Sequence, residues 1–288
     1  MSSASSAISG TRSVSAPRGV GLRQLASELR LVFGRRRNIA MLGILLAIPL
    51  FIGIAIKVST PRPGEGPPFV SALTNNGLFL AFTAMAVCLP VFLPLSVAVV
   101  AGDAVAGEAG AGTLRYLLSI PVSRARLLVV KTLGVLAYLL AGIVLVTVCG
   151  LVAGYALFGA DGVTLLSGDT VSVANGLARA AGVATYVFVD LLGLVAIGLF
   201  FSTLTEVPIG AMAATVVTTI AFAVLDSVPQ LGRFREVLLT HNWLNFDELL
   251  RSSPSTHSLL SWSVLPLAYA LVFFAAAWAR ITTADVSG

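Results

Sequence analysis

Charge is scarce in this chain. Only 11% of its 288 residues are Asp, Glu, Lys or Arg, against about 25% in soluble domains. Together with 57% apolar residues and a mean hydropathy of +0.96, this excludes an ordinary soluble fold and indicates an integral membrane protein. Lysine is nearly missing, with Lys57 and Lys131 alone. Ile56 and Val130 precede them, so neither completes the G-x-x-x-x-G-K-[ST] loop that wraps phosphates. His241 and His257 are the two histidines and stand outside any H-E-x-x-H, which removes zinc hydrolysis of that kind. Cys88 and Cys149 fall inside apolar runs without a C-x-x-C pair, so neither a thiolate metal site nor a disulfide framework is indicated. Gly102-Asp103 has Val100 where an intramembrane aspartyl protease motif needs its first glycine. The chain is therefore expected to have no catalytic residues and to bind no metal or cofactor itself.

Long apolar runs are what it has in abundance. Six of them, 39–56, 78–100, 132–158, 180–201, 209–225 and 262–279, reach the roughly 17–25 residues a membrane-spanning helix needs. The expected fold is an all-α integral membrane protein with six transmembrane helices in one domain over 38–280. The intervening segments leave no room for a second, soluble domain. Lys and Arg near the span ends set the orientation. Twelve lie on the side of the N-terminus, the 101–131 loop and Arg280, and six on the other, which predicts N-in/C-in topology. The net charge of +5 is mostly this topogenic bias, and no nucleic-acid surface is inferred from it.

Residues 1–19 are rich in Ser and Ala and read as a disordered cytoplasmic tail; an Arg- and Ser-rich, acid-poor start also fits an organellar transit peptide. Residues 20–37 place Leu22, Leu25, Leu29, Val32 and Phe33 on one face and Arg23, Glu28 and Arg30 on the other. That pattern predicts an amphipathic helix lying in the membrane interface. The 57–77 loop is rich in Pro and Gly, and 159–179 is small and polar. Within the long external segment 226–261, REVLLTHNWLNFDELLRSS looks helical and partly apolar; it either dips back into the membrane rim or forms a surface helix. No internal repeat is visible, which weakens readings built on inverted halves.

Asp190 is the one acid well inside a span, where a charge costs about 2.5–3.5 kcal/mol on insertion scales. Gly182, Tyr186, Asp190 and Gly193 share its helical face. Asp190 and Tyr186 are candidates for a transport pathway, or for an interhelical hydrogen bond. Pro90 and Pro94 bend the second span and are candidates for shaping the same pathway. Gly134, Gly142, Gly150 and Gly154 form an i, i+4 stripe in the third span, which predicts close helix packing.

The polar, glycine-rich loop 101–131 interrupts these runs. It carries Asp103, Glu108, Gly112-Thr113-Leu114, Leu117-Leu118-Ser119, Pro121, Arg124 and Lys131. In this order and spacing it resembles the signature region of type-2 ABC transporter permeases, and most closely the subgroup that includes the membrane permease of nitrous-oxide-reductase maturation. The resemblance implies a short cytoplasmic coupling helix between spans 2 and 3, seated in a groove of a separate ABC ATP-binding subunit. Its ATPase-coupling residues would be Asp103, Glu108, Gly112, Thr113, Leu114, Leu117, Leu118, Pro121 and Arg124. The implied function is that of a permease subunit, an exporter in a bacterial plasma membrane, surrounded by lipid. It would pair with a second copy or a sister permease, with ATP and Mg held by the partner chain. The turn 202–208 carries no basic residue, a departure from that family's second contact. A secondary transporter or channel using Asp190 is the alternative from another class.

Overall fold

A computed structural model of the protein describes residues 20–59, 78–111, 124–159, 163–164, 170–251 and 255–283. The tail 1–19, most of the 57–77 loop, and Gly112, Thr113, Leu114, Leu117, Leu118 and Pro121 lie outside the described residues. In chain order the helices are α1 (Val20–Gly34), α2 (Arg36–Ser59), α3 (Leu78–Cys88), α4 (Phe92–Ala104), α5 (Ala106–Gly110), α6 (Arg124–Phe158), α7 (Val173–Leu204), α8 (Pro208–Asp226) and α9 (Thr256–Thr283). Two 3-10 helices, Pro229–Val237 and Asn245–Leu250, join α8 to α9. Within 159–179, the pairs β1 (Val163–Thr164) and β2 (Thr170–Val171) form a minimal antiparallel ladder.

Among the described residues five helices are long and apolar enough to cross a membrane, and the count is six where α3 and α4, bent by 54° at their break, form one span. This is the make-up of a multi-pass membrane protein. The bend follows from proline chemistry. Pro90 lies in the turn at 89–91 between the two helices, where it offers no N–H to continue the ladder. Pro94 falls in the first turn of α4, where that missing donor has no partner to lose. Pro94 is buried and Pro90 exposed.

Helix α7 is the most buried of the five long helices, and α9 lies along it, while α2, α8 and α9 face mostly outward. The glycine stripe of α6 brings neighbours close. An added Cβ would come within 3.2 Å of Leu45 at Gly142 and within 2.6 Å of the Ala81 backbone at Gly150. Close packing of α6 against α2 and α3 is thus the role these glycines play.

Two local expectations change. The 20–37 segment is not one helix: it divides at Arg35, and Arg36 and Arg37 already belong to α2. The 235–250 stretch is not an α-helix either, but turns and 3-10 helix that fold back against α7. Leu238, Leu239, Trp243, Phe246 and Leu250 are buried there. A reversal at Gly232, whose φ of +52° suits glycine, starts this return.

Candidate functional site

The charged residues that a membrane chain can least tolerate collect at the α1 end of the bundle. Lys131, near the start of α6, is 2% exposed and donates to Glu28 of α1 at 2.7 Å and to Glu108 of α5. Asp103, in the last turn of α4, accepts from Arg37 of α2 at 3.0 Å and pairs with Arg35 at the α1–α2 break. These three acids and three bases have no net formal charge. They tie together α1, the entry to span 1, the exit of span 2 and the entry to span 3. Their balance makes burial tolerable, because a buried ion needs both a counter-charge and hydrogen bonds.

Two glycines make room for the acids. An added Cβ at Gly107 would come within 2.5 Å of the Asp103 carboxylate, and one at Gly134 within 2.9 Å of Glu28 Cγ. Gly134, the first member of the stripe, therefore admits α1 to α6. Burial pushes the Glu28 carboxyl above the ordinary carboxylate range, with the Lys131 ammonium pulling the other way. The folded state thus holds that proton more tightly than the unfolded chain does. Glu28 contributes stability below the ordinary carboxylate value, and that contribution is lost as pH rises through its raised value. Between about pH 5 and pH 7, the melting temperature of Glu28→Gln should accordingly fall less than the parent's. Equal slopes would place Glu28 in solvent.

Ser202, fully buried near the end of α7, closes the joint from the other side. Its hydroxyl accepts from the Val105 and Ala106 amides at 3.0 and 2.9 Å and donates to the Gly102 carbonyl at 2.8 Å. One side chain thereby satisfies three backbone groups freed by the break between α4 and α5. Close approaches of Gly102 to the Met212 backbone of α8 and of Gly110 to the Glu206 carbonyl complete the seat. On α1 and α2, Asn38 donates to the Val32 carbonyl at 2.8 Å, and Tyr138 of α6 donates to the Asn38 carbonyl at 3.0 Å.

Of the coupling residues expected from sequence, Asp103 and Glu108 are described, buried and paired with this chain's own bases. Arg124 opens α6. Glu28, expected on the polar outer side of α1, turns inward. No local pattern marks Glu28, Arg35, Arg37 and Ser202 as site residues, because their roles depend on partners distant in sequence. A lone acid on an otherwise arginine-rich amphipathic helix was the available signal for Glu28.

The pathway candidates stand apart. Asp190 lies twelve residues from Ser202, about 18 Å along α7 at a rise of about 1.5 Å per residue. It is buried with Tyr186 beneath the 238–250 return. Apolar grooves of about 500 Å³ between α2 and α6, and of about 300 Å³ among α6, α7 and α9, are lined by neither of them, nor by Pro90 or Pro94.

The spans and this internal joint define a polytopic helical membrane protein. Residues 50–287 match the family described as Protein of unknown function (DUF2705), and the chain belongs to that family. A search of curated proteins finds no match.

Proposed function

We propose that this chain is the transmembrane permease subunit of an ATP-binding cassette transporter, an exporter, driven by a separate ATPase subunit that docks on the 101–131 loop. The observation that carries the reading is the joint. Asp103, Glu108 and Lys131, three positions of the motif, form its centre, and the Glu108–Lys131 pair closes the loop at its base. A push on the loop would then be passed as one movement to α1, α2, α4 and α6, with Ser202 passing it to α7. Between the paired residues, Thr113, Leu114, Leu117 and Leu118 supply the apolar side chains that a groove in a partner could take. The polypeptide has N-in/C-in topology in a bacterial plasma membrane, works as a pair with a second copy or sister permease, and is not itself an enzyme. ATP and Mg belong to the partner.

The competing reading, a secondary transporter or channel, draws on Asp190, a buried acid in mid-span. Transport in proteoliposomes separates the two. Cargo movement should require both the co-isolated ATPase subunit and ATP. Uptake that follows a pH gradient without ATP, and vanishes in Asp190→Asn, would overturn the permease reading.

A further inference from the structure

Helices α2 and α6 touch near both ends of the stretch they share. An added Cβ at Gly142 would come within 3.2 Å of Leu45, and one at Gly53 within 2.8 Å of Leu157. Between these contacts lies the groove of about 500 Å³, and its walls face out of the bundle. Leu46, Leu50 and Ile54 recur every four residues along one wall, and Val148, Val152 and Leu157 stand on the other. The one thiol in the lining, that of Cys149, is turned to the Leu46 carbonyl at 3.5 Å. An occupant therefore meets apolar surface and almost nothing polar.

Length and charge say what fits. Leu46 and Lys57 are eleven residues apart on α2, about 16 Å at about 1.5 Å per residue. That is close to half of the roughly 30 Å hydrocarbon thickness of a bilayer, so the groove runs the depth of one leaflet. Its volume lies within the roughly 300–1,000 Å³ of sites that take small organic ligands. At the end farther from the joint, Lys57 Nζ donates to the Leu157 carbonyl at 2.6 Å and stands 5.7 Å from the centre of the Phe158 ring. These two contacts with α6 hold a cation at the rim, in the last turns of both helices. A fixed positive charge at the polar end of a leaflet-deep apolar groove is complementary to an amphiphile with an anionic head.

We propose that this groove is a binding site for an anionic phospholipid of the leaflet farther from the joint, with one acyl chain between α2 and α6 and the phosphate at Lys57. Lipid of any head group covers a plain exposed face, such as that of α9 around Leu260 and Val264. The groove differs in two respects. Its walls are pinned near both ends, so the site exists before the ligand arrives, and it carries a cation at head-group depth.

Photocrosslinking of the full chain in phosphatidylcholine nanodiscs tests the site. Trace phosphatidylglycerol or phosphatidylcholine would carry a diazirine on matched acyl chains, with adducts mapped by peptide. Adducts on 145–157 should form about fivefold more from the phosphatidylglycerol, the advantage expected of one lysine beside a charged head group. Those on Leu260 and Val264 should form equally from both. The groove preference should vanish in Lys57→Met and shrink as salt rises toward about 1 M, where screening acts within about 3 Å. Val152→Trp, which fills the groove from an exposed position, should lower groove adducts from both lipids several-fold. Glycerol phosphate, the head without its chains, should not compete at the lipid's own concentration. Equal groove yields from the two lipids, a preference that survives Lys57→Met or is untouched by salt, full groove labelling in Val152→Trp, or competition by glycerol phosphate would each overturn the site. The α9 adducts report an intact bundle in each variant, and the salt series needs no variant. The assay needs no ATPase, so its outcome is independent of the permease reading.

Discussion

Lys131→Met should be the most damaging single substitution in this protein. It leaves Glu28 and Glu108 buried side by side without the ammonium that both accept from. Removing one partner of a buried ion pair costs about 3–5 kcal/mol, a large part of the roughly 5–15 kcal/mol that holds a typical domain together. The variant should therefore melt far below the parent in detergent and elute largely aggregated. The triple variant Glu28→Gln, Lys131→Met and Glu108→Gln removes the stranded charges and should recover much of the loss. A melting curve for Lys131→Met that overlays the parent's would show that the three groups are not buried together.

Leu114→Asp should have the opposite profile, a folded protein that no longer couples. Under the permease reading, Leu114 is an apolar anchor in the partner's groove, and anchors of that kind cost at least about 2 kcal/mol when lost. A carboxylate in the same groove adds the cost of its desolvation. ATPase stimulation and ATP-driven transport by the reconstituted complex should fall to the level of the uncoupled ATPase, while melting temperature stays near the parent's. Full coupled turnover by this variant would remove 112–118 from the docking surface. Reversing the charge of Glu108 cannot test docking so cleanly. Its carboxylate is buried against Lys131, so Glu108→Lys would force two ammonium groups together and unseat α1 before any partner arrives.

The positions of the spans were legible because each rests on a property of contiguous sequence. A run of about 20 apolar residues needs no partner to be costly in water. Pro90 marked the bend for a similar reason, since a proline lacks its donor wherever it sits. The glycine stripe also announced close approach, though not what approached. Gly134 meets Glu28, Gly142 meets Leu45 and Gly150 meets Ala81, from three different helices.

The site was legible in halves. Asp103 and Glu108 stood out as acids in an apolar chain, and the resemblance of their motif implied coupling to a separate ATPase subunit. In the structure their bases belong to this chain. Glu28 lies 103 residues from Lys131 and Arg37 lies 66 from Asp103, so no local pattern could join them. Ser202 is harder still, a single hydroxyl whose value lies in three backbone groups near residue 104. The hydrogen bond from Tyr186 to Asn242 ends on a backbone carbonyl, which every residue possesses and no sequence pattern marks.

The sequence by itself determined that this is a membrane chain, where it crosses, and which few charges it must account for. Those follow from the transfer free energy of each stretch taken alone. The tertiary structure alone decided where the charges go. In a low-dielectric interior an ion is tolerated only beside its counter-ion, and which helix brings that counter-ion depends on packing across the whole bundle. That is why Glu28 turns inward on α1, and why 238–250 lies against α7 instead of forming a free surface helix.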